Sequence, residues 1–198
     1  MERRPHLDVT GVDPAAAPRY RHAMTRWIAL LRGVNVNGIT IRSADLAELF
    51  RGLGCTDVRT VLASGNVVFT ADDDRDPDDD ALRAAVERAL RDRFGYDAWI
   101  VLVPHDSLAA VLAGFPFASA ADRHDYVVFA STDAALDDLL DGLEPDPAVE
   151  QVARGDGVVY WSCPKGSSTS TIVAKRAGAA RFRQTTTTRN TNTLRKLL

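Results

Sequence analysis

The sequence predicts an α/β protein in which one run of elements, strand, helix, strand, strand, helix, strand, occurs twice in tandem, with the two halves packed together. Three observations predict it. Apolar runs of strand length alternate with segments whose apolar residues recur at helical spacing. Two glycine-containing turns, Ser64-Gly65-Asn66 and Gly155-Asp156-Gly157, each join two strand-like runs. The composition, 45% hydrophobic and 26% charged, fits a packed globule rather than a disordered chain.

The elements follow in order. Residues 1–23 carry Pro5, Pro14 and Pro18, an alanine run and few large apolar residues. They read as a flexible extension, or as a start placed upstream of Met24. Residues 26–34 are apolar and read as a buried strand, and residues 35–41 as a loop around Gly38. Ser43 is placed to cap a helix whose stripe is Leu46, Leu49, Phe50 and Leu53, closed by Gly54. Residues 58–63 and 67–70 form a hairpin in which Gly65 supplies a positive φ. Leu82, Val86, Ala89, Leu90 and Phe94 mark a helix over 79–94, and residues 99–103 a fourth strand. This order is the ferredoxin-like unit, and it occupies residues 24–104.

Residues 105–198 hold a connecting helix, 106–112, and a second unit. There the strands are 126–130, 149–153, 158–161 and 182–186. The helices are 134–143, with Leu136, Leu139, Leu140 and Leu143 on one face, and 168–177, with a terminal helix over 192–198. The threonine-rich segments are poor helix formers. The repeat is one of element order and not of residues.

Charge is unevenly placed. The chain has a formal net charge of −3, yet residues 165–198 carry eight basic residues and no acid. Such a segment is either a surface for anionic partners or a solvated face that offsets the acidic remainder. Cys55 and Cys163 form no CxxC pair, which points to a reducing compartment and away from zinc. No apolar run approaches the ~20 residues that span a bilayer, and no signal-peptide core precedes the first strand. A cytoplasmic location without membrane contact is the expectation. Seven aspartates lie between Asp72 and Asp80, but the glycine and glutamate of a calcium loop are missing. The histidines show no metal-ligand spacing. No metal and no cofactor are therefore expected.

Two long stretches are distinctive: Ala29-Leu30-Leu31-Arg32-Gly33-Val34-Asn35-Val36-Asn37-Gly38, and residues 58–69 around Ser64-Gly65-Asn66. A third is Thr187-Thr188-Arg189-Asn190, followed by Asn192-Thr193 and Lys196-Leu197. Together they resemble the bacterial domain-of-unknown-function family DUF1697, from Met24 to the C-terminus. The resemblance implies a ferredoxin-like fold and no established biochemical role. The chain departs from the family pattern at Asn37, Ala63 and Thr191, and at Ser168-Thr169-Ser170, where relatives carry a lysine. Lys165 is the nearest substitute.

The candidate site residues come from polar groups at strand ends and turns. Gly33 to Thr40 echoes a phosphate-binding P-loop, but Ile39 stands where the essential lysine belongs, which argues against an NTPase P-loop. Asn35 and Asn37 remain able to cradle an anion, or simply to relieve backbone strain in a turn. Arg32 lies inside an apolar strand, where its charge must be bonded or must reach a cleft. Ser64 and Asn66 flank the hairpin glycine. Lys165, Arg189 and Asn190 lie in the basic segment, and Asn190 is equally placed to cap the terminal helix.

No catalytic residue can be assigned, and whether the protein is an enzyme stays open. The leading reading is a module for an anionic, phosphate-bearing small molecule or nucleotide. The alternatives are a single-stranded nucleic-acid binder acting through the basic segment, and an interaction scaffold, monomeric or homodimeric through a sheet edge.

Overall fold

A computed structural model of the chain describes residues 24–33, 40–62, 65–72, 80–95 and 97–198. The proposed N-terminal extension, residues 1–23, lies outside them. The first unit comprises β1 (Met24–Arg32), α1 (Ser43–Gly52), β2 (Thr56–Val61), β3 (Asn66–Asp72), α2 (Asp80–Phe94) and β4 (Trp99–Pro104). Next come α3 (Ser107–Ala113), β5 (Arg123–Ala130), α4 (Asp133–Leu140), β6 (Gln151–Arg154), β7 (Val158–Pro164), α5 (Ile172–Gly178), β8 (Thr186–Asn190) and α6 (Thr191–Arg195). The strands form two four-stranded sheets of order β2-β3-β1-β4 and β6-β7-β5-β8, antiparallel throughout. Each sheet has the split arrangement of a ferredoxin-like unit, so the protein is two such units in tandem.

The sheets stack face to face. Successive side chains of a strand point to opposite faces, and β1 shows the consequence. Trp27, Ala29 and Leu31 pack with Phe50 of α1 and with Val86 and Leu90 of α2. Ile28 and Leu30 point the other way and meet Val127, Phe129, Val158 and Tyr160 of the second sheet. Burial on both faces explains why β1 reads as an unbroken apolar run rather than an alternating one. The outer face of the second sheet, with Val128 and Val159, is covered by Leu136 and Leu139 of α4 and by Ala177 and Phe182.

The chain end seals the layer between the sheets. Leu194 and Leu197 are fully buried there beside Leu108 of α3, each contributing about 1.5–3 kcal/mol from burial. Arg59 of β2 donates to the carbonyls of Lys196 (3.1 Å) and Leu197 (3.2 Å). A guanidinium at a helix C-terminus meets both the orphan carbonyls and the negative end of the dipole. His105 Nε2 also lies 3.1 Å from the Leu197 carbonyl.

Three local expectations are corrected. Ser43 is the first helical residue of α1 and not its cap. Arg42 holds the cap position, and its guanidinium pairs with Asp45 at 2.6 Å instead. The helix expected over 168–177 begins at Ile172, where the Thr171 hydroxyl accepts the Ala174 N–H at 3.2 Å. The last strand runs Thr186–Asn190 rather than 182–186. Phe182 sits in a 3₁₀ turn, Ala180–Phe182, that drives its ring into the core. The β-branched threonines that follow take the strand. As expected, Gly65 turns the β2–β3 hairpin at a φ of 70°. Among the described residues no helix is long and apolar enough to cross a membrane.

Candidate functional site

Arg32 ends β1 and crosses to the second unit. Its Nη1 donates to the Thr186 carbonyl (2.6 Å), the Thr186 hydroxyl (3.1 Å) and the Phe182 carbonyl (3.2 Å). Its Nη2 donates to the Ala177 carbonyl at 2.9 Å. The guanidinium therefore gathers the end of α5, the 3₁₀ turn and the start of β8. Burial, and after it the charge of Arg183, lowers the Arg32 pKa, but an arginine stays cationic at neutral pH.

Arg189 makes the reciprocal crossing. It pairs in register with Val127 of β5, whose side chain faces the first sheet. Arg189 accordingly aims back at the first unit. Its Nε donates to Asn66 Oδ1 at 2.6 Å, and its Nη2 to the Leu31 carbonyl. Nη1 bonds the Thr187 hydroxyl (2.7 Å) and the Thr188 carbonyl (2.9 Å). Asn66 is wholly buried and donates its own Nδ2 to the Val61 carbonyl at 2.9 Å. An amide is the side chain that can accept from Arg189 and donate to Val61 at once.

Arg32 and Arg189 line one cleft of about 420 Å³. Gly33, Ser168, Thr187, Thr188 and the aromatic pair Tyr126 and Trp161 complete its wall. The two rings stack with centroids 4.7 Å apart and planes at 27°. The cleft thus combines two fixed cations, hydroxyls and a partly exposed ring. Its described lining holds no carboxylate, imidazole or thiol.

The other expected residues fall elsewhere. Lys165 is exposed in the turn after β7, where its backbone N–H donates to the Asp122 carbonyl (2.9 Å), and it does not line the cleft. Asn190 caps α6: its Oδ1 accepts the Asn192 N–H at 2.9 Å. Asn35, Asn37 and Ser64 lie outside the described residues. Among the described residues no cluster of histidine, cysteine or acidic side chains could hold a metal ion.

Sequence reasoning missed two polar centres. Glu150, 2% exposed, accepts the Trp161 indole N–H (3.0 Å) and the backbone N–H groups of Ile172 (2.9 Å) and Val173 (3.4 Å). It anchors the start of α5 to β7. Arg123 bonds the Ser162 hydroxyl (3.1 Å) and carbonyl (2.8 Å), and that hydroxyl donates to Asp125 at 2.8 Å. A lone acid before a short strand carries no pattern from which such a role could be read.

Fold and site together define a tandem ferredoxin-like protein with a guanidinium-lined cleft at the junction of its units. The chain belongs to the family described as "Protein of unknown function (DUF1697)", whose model matches residues 24–160. Arg32 and Asn66 fall within the match, and Arg189 lies beyond it. Among solved structures, the conserved bacterial protein SP0830 from Streptococcus pneumoniae is similar, at 23% identity and a TM-score of 0.70. That likeness covers 88% of this chain and 97% of the other, and it is a likeness of fold. An unknown protein from Galdieria sulphuraria matches over 85% of this chain and 98% of its own, at 9% identity and a TM-score of 0.26, too low to bear on the argument. A search of curated proteins found no match.

Proposed function

We propose that the cleft between the ends of β1 and β8 binds a small molecule carrying a phosphate or a comparable anion. One observation carries the reading: Arg32 and Arg189, from opposite ends of the chain and opposite units, line the same cleft. The forks of both arginines are held by protein acceptors, so what they bring to the wall is fixed positive charge, which favours an anion in the cleft. The hydroxyls of Ser168 and Thr188 add neutral donors at the wall. A volume of about 420 Å³ falls within the range of small-molecule sites. The Tyr126 ring offers a surface for an aromatic group, so nucleotides are the first class to test.

The test is a thermal-shift series with nucleotides, sugar phosphates and inorganic phosphate at two salt concentrations. A ligand at about 100 times its Kd adds about 2.7 kcal/mol, which raises the Tm of a chain of this size by roughly 5–10 °C. Ser168→Trp fills the cleft and leaves both arginines in place. It should abolish the shift with little change in the Tm of the free protein. No shift with any of these ligands would overturn the reading.

One finding weighs against the single-stranded nucleic-acid alternative. Binding on an open ferredoxin-like sheet stacks bases on a row of exposed aromatics, and here helices or the opposite sheet cover most of both sheets, with Tyr126 partly exposed at the cleft. Exposed basic residues of the C-terminal segment, such as Lys175, Arg181, Arg183, Arg195 and Lys196, remain as a phosphate-tracking surface. Oligonucleotide stabilisation that vanishes with salt would favour that surface over the cleft.

A further inference from the structure

A second cavity, of about 530 Å³, shares no lining residue with the arginine cleft. Its walls are Val101 and Val103 of β4, Val111 of α3, and Phe129, Val158 and Tyr160 from the inner face of the second sheet. The strand residues among these are buried, so the cavity is an apolar recess where the first sheet stops short of covering the second. The Tyr160 hydroxyl donates to the Val111 carbonyl at 2.9 Å and is thus turned to the protein rather than to the space.

The charges sit at the mouth and do not balance. Arg154 pairs with Asp133 at 2.6 Å and with Asp137 at 3.2 Å. Its Nη1 is taken by the carbonyls of Gly155 and Val158. The bond to Asp133 is the first cause of its raised pKa. Arg154 is therefore held by two carboxylates that lie outside the lining, and Asp156, which lines the cavity and is exposed, adds a further negative charge. Burial, and after it the charge of Asp156, raises the Tyr160 pKa, and both residues line the cavity. An anion entering here meets an excess of negative charge, and a cation meets a counter-ion.

We propose that this cavity binds a compact apolar molecule with a cationic amine head, its body against Val101, Phe129, Val158 and Tyr160 and its head beside Asp156. The recess is of the size and lining that small-molecule sites have, and the mouth selects the charge. The site is independent of the anion cleft, and either can fail alone.

The experiment uses the full chain with Nile red, a neutral fluorescent probe of apolar sites, displaced by octylamine or by octanoate at pH 7. Octylamine should half-displace the probe at a concentration about tenfold lower than octanoate, a ratio set by the charge at the mouth. Asp156→Asn should bring that ratio below about threefold. Ala110→Trp, on the exposed rim of α3, should abolish probe binding while circular dichroism stays unchanged. If that variant does not fold, Ala153→Leu on β6 fills the same space and decides in its place. Absence of Nile red binding, octanoate displacing as well as octylamine, or a folded filling variant that binds the probe like the parent would each overturn the proposal.

Discussion

Replacing Arg189 with methionine should lower the stability of the protein by about 3–5 kcal/mol. Methionine keeps the length and apolar character of the stem, so the loss reports the guanidinium. Two of its bonds join β8 to the first unit, those to Asn66 (2.6 Å) and to the Leu31 carbonyl. A hydrogen bond from a charged donor contributes about 1.5–3 kcal/mol, and two give roughly 3–6. Arg189 is half-buried, so water can return to part of the site, and the lower portion of that range applies. Asn66, wholly buried, gains no such relief. Asn66→Ala in the same background tests the pairing. Because it removes the same bond, the double variant should lose about 1–2 kcal/mol less than the sum of the singles. Urea unfolding with an unchanged m-value is the assay. A loss below about 1 kcal/mol for Arg189→Met, or additive effects in the cycle, would refute the claim that Arg189 joins the units.

Other outcomes follow from buried groups. Glu150→Gln replaces one carboxylate oxygen by an amide N–H₂, which then faces either the Trp161 indole N–H or the N–H groups of Ile172 and Val173. It should cost about 2–4 kcal/mol, read as a Tm drop, and an unchanged Tm would contradict the anchoring role. Burial, followed by the Glu150 carboxylate, pushes the Cys163 thiol above its ordinary range. The folded protein then keeps a proton that the unfolded chain releases, so stability falls as pH rises above about 8.5. Cys163→Ala should flatten that slope, and an equal slope in parent and variant would sink the assignment. A Cβ at Gly155 would lie 2.5 Å from Tyr160 Cε2 and 3.0 Å from Val158 Cγ2. Gly155→Ala should therefore destabilise by about 1–3 kcal/mol through overpacking in chemical denaturation, and a neutral result would show that the hairpin can retreat.

The strands and helices of the first unit were legible because local pattern and tertiary burial agree there. Leu46, Leu49 and Phe50 recur at helical spacing and are, with Ala47, the residues that α1 buries, whereas Leu53, expected on the same stripe, is the exposed C-cap. The late part of the second unit was less legible because the two signals diverge. Thr171 and Thr185 to Thr188 are alike in type, yet one caps α5 and most of the others build β8. Only the position of Phe182 in the core separates the two uses. The site was half legible. A charge inside an apolar strand is expensive wherever it lies, which singled out Arg32 without naming its partners. Those partners are backbone carbonyls far along the chain, and a carbonyl carries no residue signature. Asn190 resolved to a cap because its nearest orphan donor, the Asn192 N–H, is local.

The arginines of the cleft serve the fold whether or not a ligand binds, and this sets how function can be separated from structure. Arg32 holds three carbonyls that diverge from one another, a geometry that a planar fork meets and a single ammonium does not. Arg32→Lys should therefore lose stability while leaving a positive charge at the wall. If the cleft only joins the units, that loss is the whole effect. If it also binds an anion, the ligand contributes to holding the junction closed, because it contacts groups drawn from both units. Its stabilisation then adds to that of the arginines rather than replacing it. In the variant a phosphate ligand would still raise the Tm, by less than in the parent, and the difference between the two shifts measures what the fork gives to the ligand beyond what it gives to the fold.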